Sequence, residues 1–224
     1  MSELTAYRPQ GRDGLTKQAL VHFIIGRGLR LLVRFCYRVR IRRHPLWQHQ
    51  VCVLAANHRS FADPPLVAMF SRYADAFFAR ATLWKLPVVG HVLRLVGGVP
   101  VDRARPSPRA MAQVVQELRG GRNLVVFPEG TRSRDGRLGR VYEGPALFAR
   151  RAGVPVVPVY VHRSDLAWPR GGILPRLCCG LEIRYGRPIR APAHLSARQQ
   201  DRWLTSYIDR WLRAQEQQLM GPSA

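Results

Sequence analysis

The sequence predicts an α/β fold: a single domain whose mixed sheet is flanked by helices, with an amphipathic helix region on its N-terminal side. Three observations carry that prediction. The chain has 224 residues and a mass of 25.5 kDa, enough for one domain with a real core and short for two. Apolar residues make up 46% and charged residues 22%, the balance of an ordered globular protein, which excludes wholesale disorder. Short apolar runs alternate with stretches of helical periodicity through the body of the chain, joined by short connections. No internal repeat or linker interrupts that order.

Residues 1–16 have neither the apolar core nor the small-residue cleavage site of a secretory signal and read as a flexible leader. Over residues 17–43, Leu20, Phe23, Ile24, Leu31, Leu32, Phe35 and Val39 recur at helical spacing. Arg27, Arg30, Arg34 and Arg38 fall at steps of three and four along one side. Residues 17–44 therefore read as an amphipathic basic segment that lies in an anionic membrane interface, arginines toward phosphates and leucines toward acyl chains. A helix packed on the domain core with its arginines in water has the same pattern. No stretch reaches the roughly 18–20 uncharged apolar residues of a conventional spanning helix. Gly26 and Gly28 each cost about 1 kcal/mol relative to alanine, so the helix needs a surface to rest on.

Residues 45–219 form the domain proper and 220–224 a flexible tail. The run 51–56 (VCVLAA) reads as a buried strand. Pro64 and Pro65 open a helix, where a missing N–H costs nothing. Residues 74–80 are ambiguous, and the apolar run 86–95 leads into GGVPVDR (97–103), a strand or strand edge. A helix over 107–119 buries Met111, Val114, Val115 and Leu118 and stops at Gly120 and Gly121. A strand at 123–127 (NLVVF) empties into PEGTRSRDG, and 144–151 is helical, closed by Gly153. Pro155 and Pro158 make 154–161 an edge or bulged strand. A strand follows at 181–185. The last helix starts at Ser196, whose pairing with Gln199 makes a capping box, and buries Leu204, Ile208, Trp211 and Leu212.

Lys and Arg total 36 against 14 Asp and Glu, a formal charge of +22, and only Lys17 and Lys85 are lysines. Such a chain is drawn to polyanions, nucleic acid or an anionic membrane surface, and charge alone does not choose between them. No helix-turn-helix, zinc finger or RNA-binding sheet motif accompanies the charge, so no nucleic-acid partner is expected. Cys36, Cys52, Cys178 and Cys179 lack the spacing of a metal site, and two adjacent cysteines are an awkward start for a disulfide framework. They read as reduced and mostly packed, as in a cytosol-facing protein.

Three polar clusters follow apolar strands, the usual place for sites in such sheets. In Asn57-His58-Arg59-Ser60-Phe61-Ala62-Asp63, a carboxylate five residues after a histidine can fix its tautomer while the other ring nitrogen takes a proton. Asp63, just before Pro64, can equally cap the helix, or divide its two oxygens between both tasks. In the cluster from Phe127 to Gly136, glycines permit tight turns and arginines offer planar donor forks to a phosphate, with no GxxxxGK[ST] loop anywhere. Asp102-Arg103 supplies a further anion contact.

These blocks together resemble the 1-acylglycerol-3-phosphate acyltransferase family of phospholipid biosynthesis. NHRSFAD carries the family's His-four residues-Asp signature at His58 and Asp63; GGVPVDR resembles its second block, with Arg103 at the basic position; FPEGTRS resembles the third, with Glu129, Gly130, Thr131 and Arg132; VPVVPV resembles the fourth. The likeness spans about residues 50 to 190. It implies an O-acyltransferase that moves a fatty acyl group from acyl-CoA or acyl carrier protein to the free sn-2 hydroxyl of 1-acyl-sn-glycerol 3-phosphate, giving phosphatidic acid. By this resemblance His58 is the general base, Asp63 orients it, Arg103 and Arg132 hold the acceptor phosphate, and Asn57, Glu129, Gly130 and Thr131 support the site. Glu129 orients an arginine or the acceptor, or holds the Gly130 turn. No enzyme nucleophile, metal or bound cofactor is implied, so Ser60 is not acylated. The implied place of work is the cytoplasmic side of the cell membrane, peripheral or monotopic. One departure is Val141-Tyr142-Glu143-Gly144, where family members often carry a lysine before the glycine. With an acid at Glu143, the phosphate falls to Arg132, Arg134 or Arg140, or a different head group is accepted. Another lysolipid, a lyso-aminolipid or glycerol 3-phosphate are the alternative acceptors that the wider superfamily offers.

Overall fold

The computed structural model of the chain describes residues 28–47, 50–71, 75–80, 98–101, 108–169, 172 and 176–221. The leader 1–16, the part of the basic segment holding Leu20, Phe23, Ile24 and Arg27, the apolar run 86–95, Asp102, Arg103 and residues 222–224 lie outside the described residues.

Seven strands form one sheet: β1 (Arg40–Arg43), β2 (Val53–Ala56), β3 (Asp75–Arg80), β4 (Gly98–Val101), β5 (Asn123–Val126), β6 (Val156–His162) and β7 (Glu182–Tyr185). The helices are α1 (28–36), α2 (Asp63–Phe70), α3 (Pro108–Arg119), α4 (Gly144–Ala152), α5 (Ser164–Ala167) and α6 (Ala197–Met220). The strand order is β1-β7-β6-β2-β5-β3-β4, and every pair is parallel except β6 with β7, so the sheet is mixed, as expected.

Successive residues of a strand point to opposite faces, and the short apolar runs use both. Leu54, Val125, Val157, Val159, Val161 and Ile183 join Leu66, Val67 and Phe70 of α2 in one core. Val53, Ala55, Leu124, Val156 and Tyr160 join Leu118 of α3, Phe148 of α4 and Leu204, Ile208 and Leu212 of α6 in the other. Burial on both faces is why these strands read as continuous apolar runs rather than alternating ones. The α6 capping box forms as the sequence predicts, with the Gln199 side chain accepting from the Ser196 N–H at 2.9 Å. Of the ambiguous stretch at 74–80, Asp75–Arg80 form β3.

Four expectations need correction. The run with two prolines is neither an edge nor a bulge: β6 lies between β7 and β2, and all its residues except His162 are buried. Pro155 precedes the strand, and Pro158 stands at the end of the β7 ladder, where its carbonyl accepts the Gly186 N–H at 2.8 Å and only the reciprocal bond is missing. Gly186 makes room for the ring, since a Cβ there would lie 2.8 Å from Pro158 Cγ and 2.9 Å from Trp211 Cε2. The N-terminal helix also stops earlier than its pattern. Arg38 takes a left-handed conformation (φ 48°), the Val39 N–H returns to the Arg34 carbonyl at 2.9 Å, and the chain enters the sheet as β1. Arg38 and Val39 therefore leave the helical stripe, and Val39 is buried in the core. At the other end Met220 belongs to α6 rather than to a loose tail. All four cysteines are free, but Cys52 alone is buried and Cys178 is exposed, so the expected packing holds only in part.

Candidate active site

β2 and β5 are parallel neighbours, Leu54 beside Val125, so their carboxyl ends open on the same edge of the sheet. The first polar cluster leaves β2 and the second leaves β5. The Asn57 side chain continues the ladder where β2 ends: its Oδ1 accepts the Val161 N–H at 2.7 Å and its Nδ2 donates to the Val161 carbonyl at 3.1 Å. His58 follows, 5% exposed, and the second loop grips its backbone from both sides. Its N–H donates to Glu129 Oε1 at 2.8 Å, and its carbonyl accepts the Ser133 N–H at 2.8 Å. The imidazole stacks on Phe127, ring centroids 4.1 Å apart.

Asp63 Oδ2 lies 2.9 Å from His58 Nδ1. The same oxygen accepts the backbone N–H of Arg59 at 2.6 Å and of Ser60 at 2.7 Å, while Oδ1 is buried with no hydrogen-bond partner among the described residues. The expected division of labour between two oxygens does not occur. Ala62 is the N-cap of α2 and no side chain caps it. An oxygen already accepting two backbone protons is an acceptor toward Nδ1 as well. The neutral ring then carries its proton on Nδ1 and presents the Nε2 lone pair.

Glu129 is buried and turns to backbone rather than to an arginine. Its Oε1 takes the His58 N–H, and Oε2 takes the Gly139 N–H at 2.9 Å. Burial pushes its carboxyl above the usual range, opposed by those two hydrogen bonds. Gly130 adopts φ +66° to close a turn onto the Phe127 carbonyl (3.0 Å), a conformation that glycine alone takes without strain. Thr131 is exposed. Arg132 is half-buried, its guanidinium carbon 3.5 Å from the centroid of the Phe61 ring, so it leans across onto the first loop. Ser60 is fully buried, its hydroxyl donating to the Trp168 carbonyl at 2.9 Å and accepting the Ala62 N–H at 3.1 Å. Of the residues singled out in the sequence, Asn57, His58, Asp63, Glu129, Gly130, Thr131 and Arg132 thus meet at one edge; Arg103 lies outside the described residues.

Sequence reasoning passed over Arg59 and Glu216. The Arg59 side chain, 4% exposed, donates from Nη2 to the Tyr160 hydroxyl at 2.8 Å and to Glu216 Oε1 at 2.9 Å. Glu216 stands 157 positions away on α6, and no local pattern joins the two. An arginine between two residues of a buried loop was the one cue.

Fold and geometry together define an α/β domain with a histidine–carboxylate pair at the carboxyl ends of its central strands. Residues 38–162, more than half of the chain, match the family model described as Acyltransferase, and the chain belongs to that family. It is 34% identical over 128 residues to the chloroplastic 1-acyl-sn-glycerol-3-phosphate acyltransferase BAT2 of Brassica napus, covering 55% of this chain and 37% of the relative. It is 30% identical over 125 residues to the 1-acyl-sn-glycerol-3-phosphate acyltransferase of Pseudomonas aeruginosa, covering 54% and 48%. The chain therefore spans less than half the length of these two relatives. The crystal structure of the 1-acyl-sn-glycerophosphate acyltransferase PlsC from Thermotoga maritima shares the fold, with a TM-score of 0.68 at 24% identity over 92% of this chain and 82% of that one.

Proposed function

We propose that the chain is a 1-acyl-sn-glycerol-3-phosphate acyltransferase, transferring a fatty acyl group from acyl-CoA or acyl carrier protein to the free sn-2 hydroxyl and giving phosphatidic acid. The observation that carries this reading is the 2.9 Å bond between the buried His58 Nδ1 and Asp63 Oδ2, which leaves Nε2 as a proton acceptor. Names of the similar proteins agree with it.

His58 Nε2 takes the proton of the acceptor hydroxyl as its oxygen attacks the thioester carbonyl. The new C–O bond forms, the C–S bond breaks, and the proton passes to the departing thiolate. Asp63 stabilises the imidazolium that forms between these steps. The thioester is already activated, so direct attack requires neither an enzyme nucleophile nor a bound cofactor, and the Ser60 hydroxyl is engaged on both sides. Arg132 and Arg103 hold the acceptor phosphate and bring its hydroxyl to His58. Asn57, Glu129, Gly130 and Thr131 shape the two loops around it.

The site works at a membrane surface on the cytoplasmic side, in this reading. No described helix is long and apolar enough to cross a membrane. Instead α1 turns Val33 toward the core and leaves Leu31, Leu32 and Phe35 on its outer side, the last 85% exposed, beside Arg30 and Arg34.

A thioester-release assay on purified protein in detergent tests the proposal, using a panel of lysolipids with and without a phosphomonoester, and glycerol 3-phosphate. Strong preference for 1-acyl-sn-glycerol 3-phosphate is expected. Equal use of acceptors without the monoester removes the roles of Arg103 and Arg132, and absence of transfer to any of them overturns the reading.

A further inference from the structure

The histidine at the centre of the site is held by bonds that close on themselves through the far end of the chain. The His58 N–H is received by Glu129 Oε1, and Glu129 Oε2 receives the Gly139 N–H at 2.9 Å. The neighbouring Leu138 N–H donates to Glu216 Oε1 at 2.8 Å. That same oxygen receives Arg59 Nη2 at 2.9 Å, and Arg59 is joined covalently to His58. The path from His58 back to His58 thus runs through two carboxylates, and Glu216, near the end of α6, is the one link supplied from outside the two site loops. It also stands beyond the four sequence blocks that carry the family resemblance.

We propose that Glu216 is a positioning residue for acyl transfer: it closes this ring and so fixes the His58 backbone between the loops that follow β2 and β5. The proposal rests on the acyl-transfer reading above. Arg59 explains why the link needs a carboxylate. Its guanidinium is buried over the Tyr160 ring, with its carbon 5.4 Å from the centroid, and a buried cation needs a counter-charge at hydrogen-bond distance. Glu216 meets that need and uses the same oxygen to hold Leu138, so the loop after β5 cannot shift without disturbing the loop after β2. Its other environment is the side of a 24-residue helix already fixed by Arg150, which grips Asp201 with two bonds of 2.8 and 2.9 Å. The ring is therefore anchored to a rigid element rather than to another loop.

A purely structural clamp would affect melting and turnover together, and the test separates the two. Steady-state kinetics with acyl-CoA and 1-acyl-sn-glycerol 3-phosphate are measured on the full chain in detergent, with thermal unfolding of the same samples. Glu216→Ala is expected to lower kcat on the order of 10- to 100-fold, the size of effect that small misplacement of a reacting group produces, with both KM values close to wild type. Glu216→Gln keeps an oxygen for the Leu138 N–H and for Arg59 but no counter-charge, so it recovers most of the kcat loss while its melting temperature stays below wild type. Replacing the ion pair by apolar groups, Arg59→Met with Glu216→Leu, restores the melting temperature because no charge is left buried alone, but it does not restore kcat. Wild-type kcat in Glu216→Ala, or recovery of kcat in step with melting temperature in the double variant, overturns the proposal.

The His58 imidazole resonances of histidine-labelled protein read the same ring with no substrate present. They move in Glu216→Ala and return in Glu216→Gln if Glu216 positions His58; resonances identical in all three proteins overturn the proposal. Movement as expected in a protein that transfers no acyl group sinks the reading of the reaction and leaves the ring standing.

Discussion

Asp63 concentrates three donors on one oxygen, and that crowding defines what the residue contributes. Two of the donors are backbone N–H groups of its own loop, so the carboxylate holds its place whether or not the imidazole is present. Removing His58 therefore leaves the loop intact, whereas changing Asp63 alters both the loop and the ring tautomer. His58→Ala is expected to fold normally and to lose about 10²- to 10⁴-fold in kcat/KM, the range for a positioned general base. Asp63→Asn falls in a similar range because it removes the charge that supports the imidazolium. The two act as one unit, so the double variant is no slower than His58→Ala alone. Losses that multiply in the double variant contradict a shared role. Glu129 belongs to the same scale: burial raises its carboxyl, yet both oxygens are committed to backbone N–H groups, which makes it a brace for His58.

At the scale of the elements, β6 depends on a close approach at Gly186, which leaves less room for a Cβ than the other described glycines. Pro158 is tolerated in a central strand because Gly186 yields the space opposite it and Trp211 of α6 fills what remains. Gly186→Ala is expected to cost about 1–3 kcal/mol through overpacking, since the obstacles are a proline ring and an indole rather than a flexible chain end. Urea unfolding measures it, and a change below a few tenths of a kcal/mol would show that the ring and indole move aside freely. This strand also marks the limit of local reading. Apolar runs, capping residues and glycine stops were legible because each acts within a few positions, and so β2, β5, α3, α4 and α6 stand where the sequence puts them. The place of β6 depends on Gly186 and Trp211, and the tie between Arg59 and Glu216 on an opposing helix, so neither leaves a mark in the local pattern. The His58–Asp63 pair was legible because its partners are five positions apart. The left-handed turn at Arg38, with nothing but a basic periodic run around it, was not.

At the scale of the whole molecule, seven of the 14 acids are committed to ion pairs within the fold or to the site. Glu117 pairs with Arg122, Glu182 with Arg42 and Arg184, Asp201 with Arg150, Asp209 with Arg213 and Glu216 with Arg59, while Asp63 and Glu129 serve the site. With 36 basic residues against 14 acids, basic charge remains in excess whatever the pairing, and the exposed face of α1, with Arg30 and Arg34, adds to that positive field. Binding to anionic vesicles is expected to weaken as salt rises, because the charge contribution is screened within a Debye length of about 8–10 Å near physiological salt. Leu31→Ser with Phe35→Ser removes the salt-resistant part, roughly 1.5–3 kcal/mol for each side chain that becomes fully buried in lipid. Vesicle flotation at low and high salt measures both, and unchanged flotation of the double variant would remove α1 from the interface.

The sheet has one more consequence, and it concerns time. β1 touches only β7 in the sheet, Arg40 beside Glu182, so the strand that follows α1 has no partner until the chain has been made through Tyr185. At about 5–20 residues per second of synthesis, that interval lasts roughly 7 to 28 seconds. Throughout it the exposed leucines and arginines of α1 have emerged while the edge that will receive β1 does not yet exist. In the membrane-surface reading proposed above, that interval lets this segment reach a bilayer before its place in the sheet exists, so that the domain finishes folding already tethered.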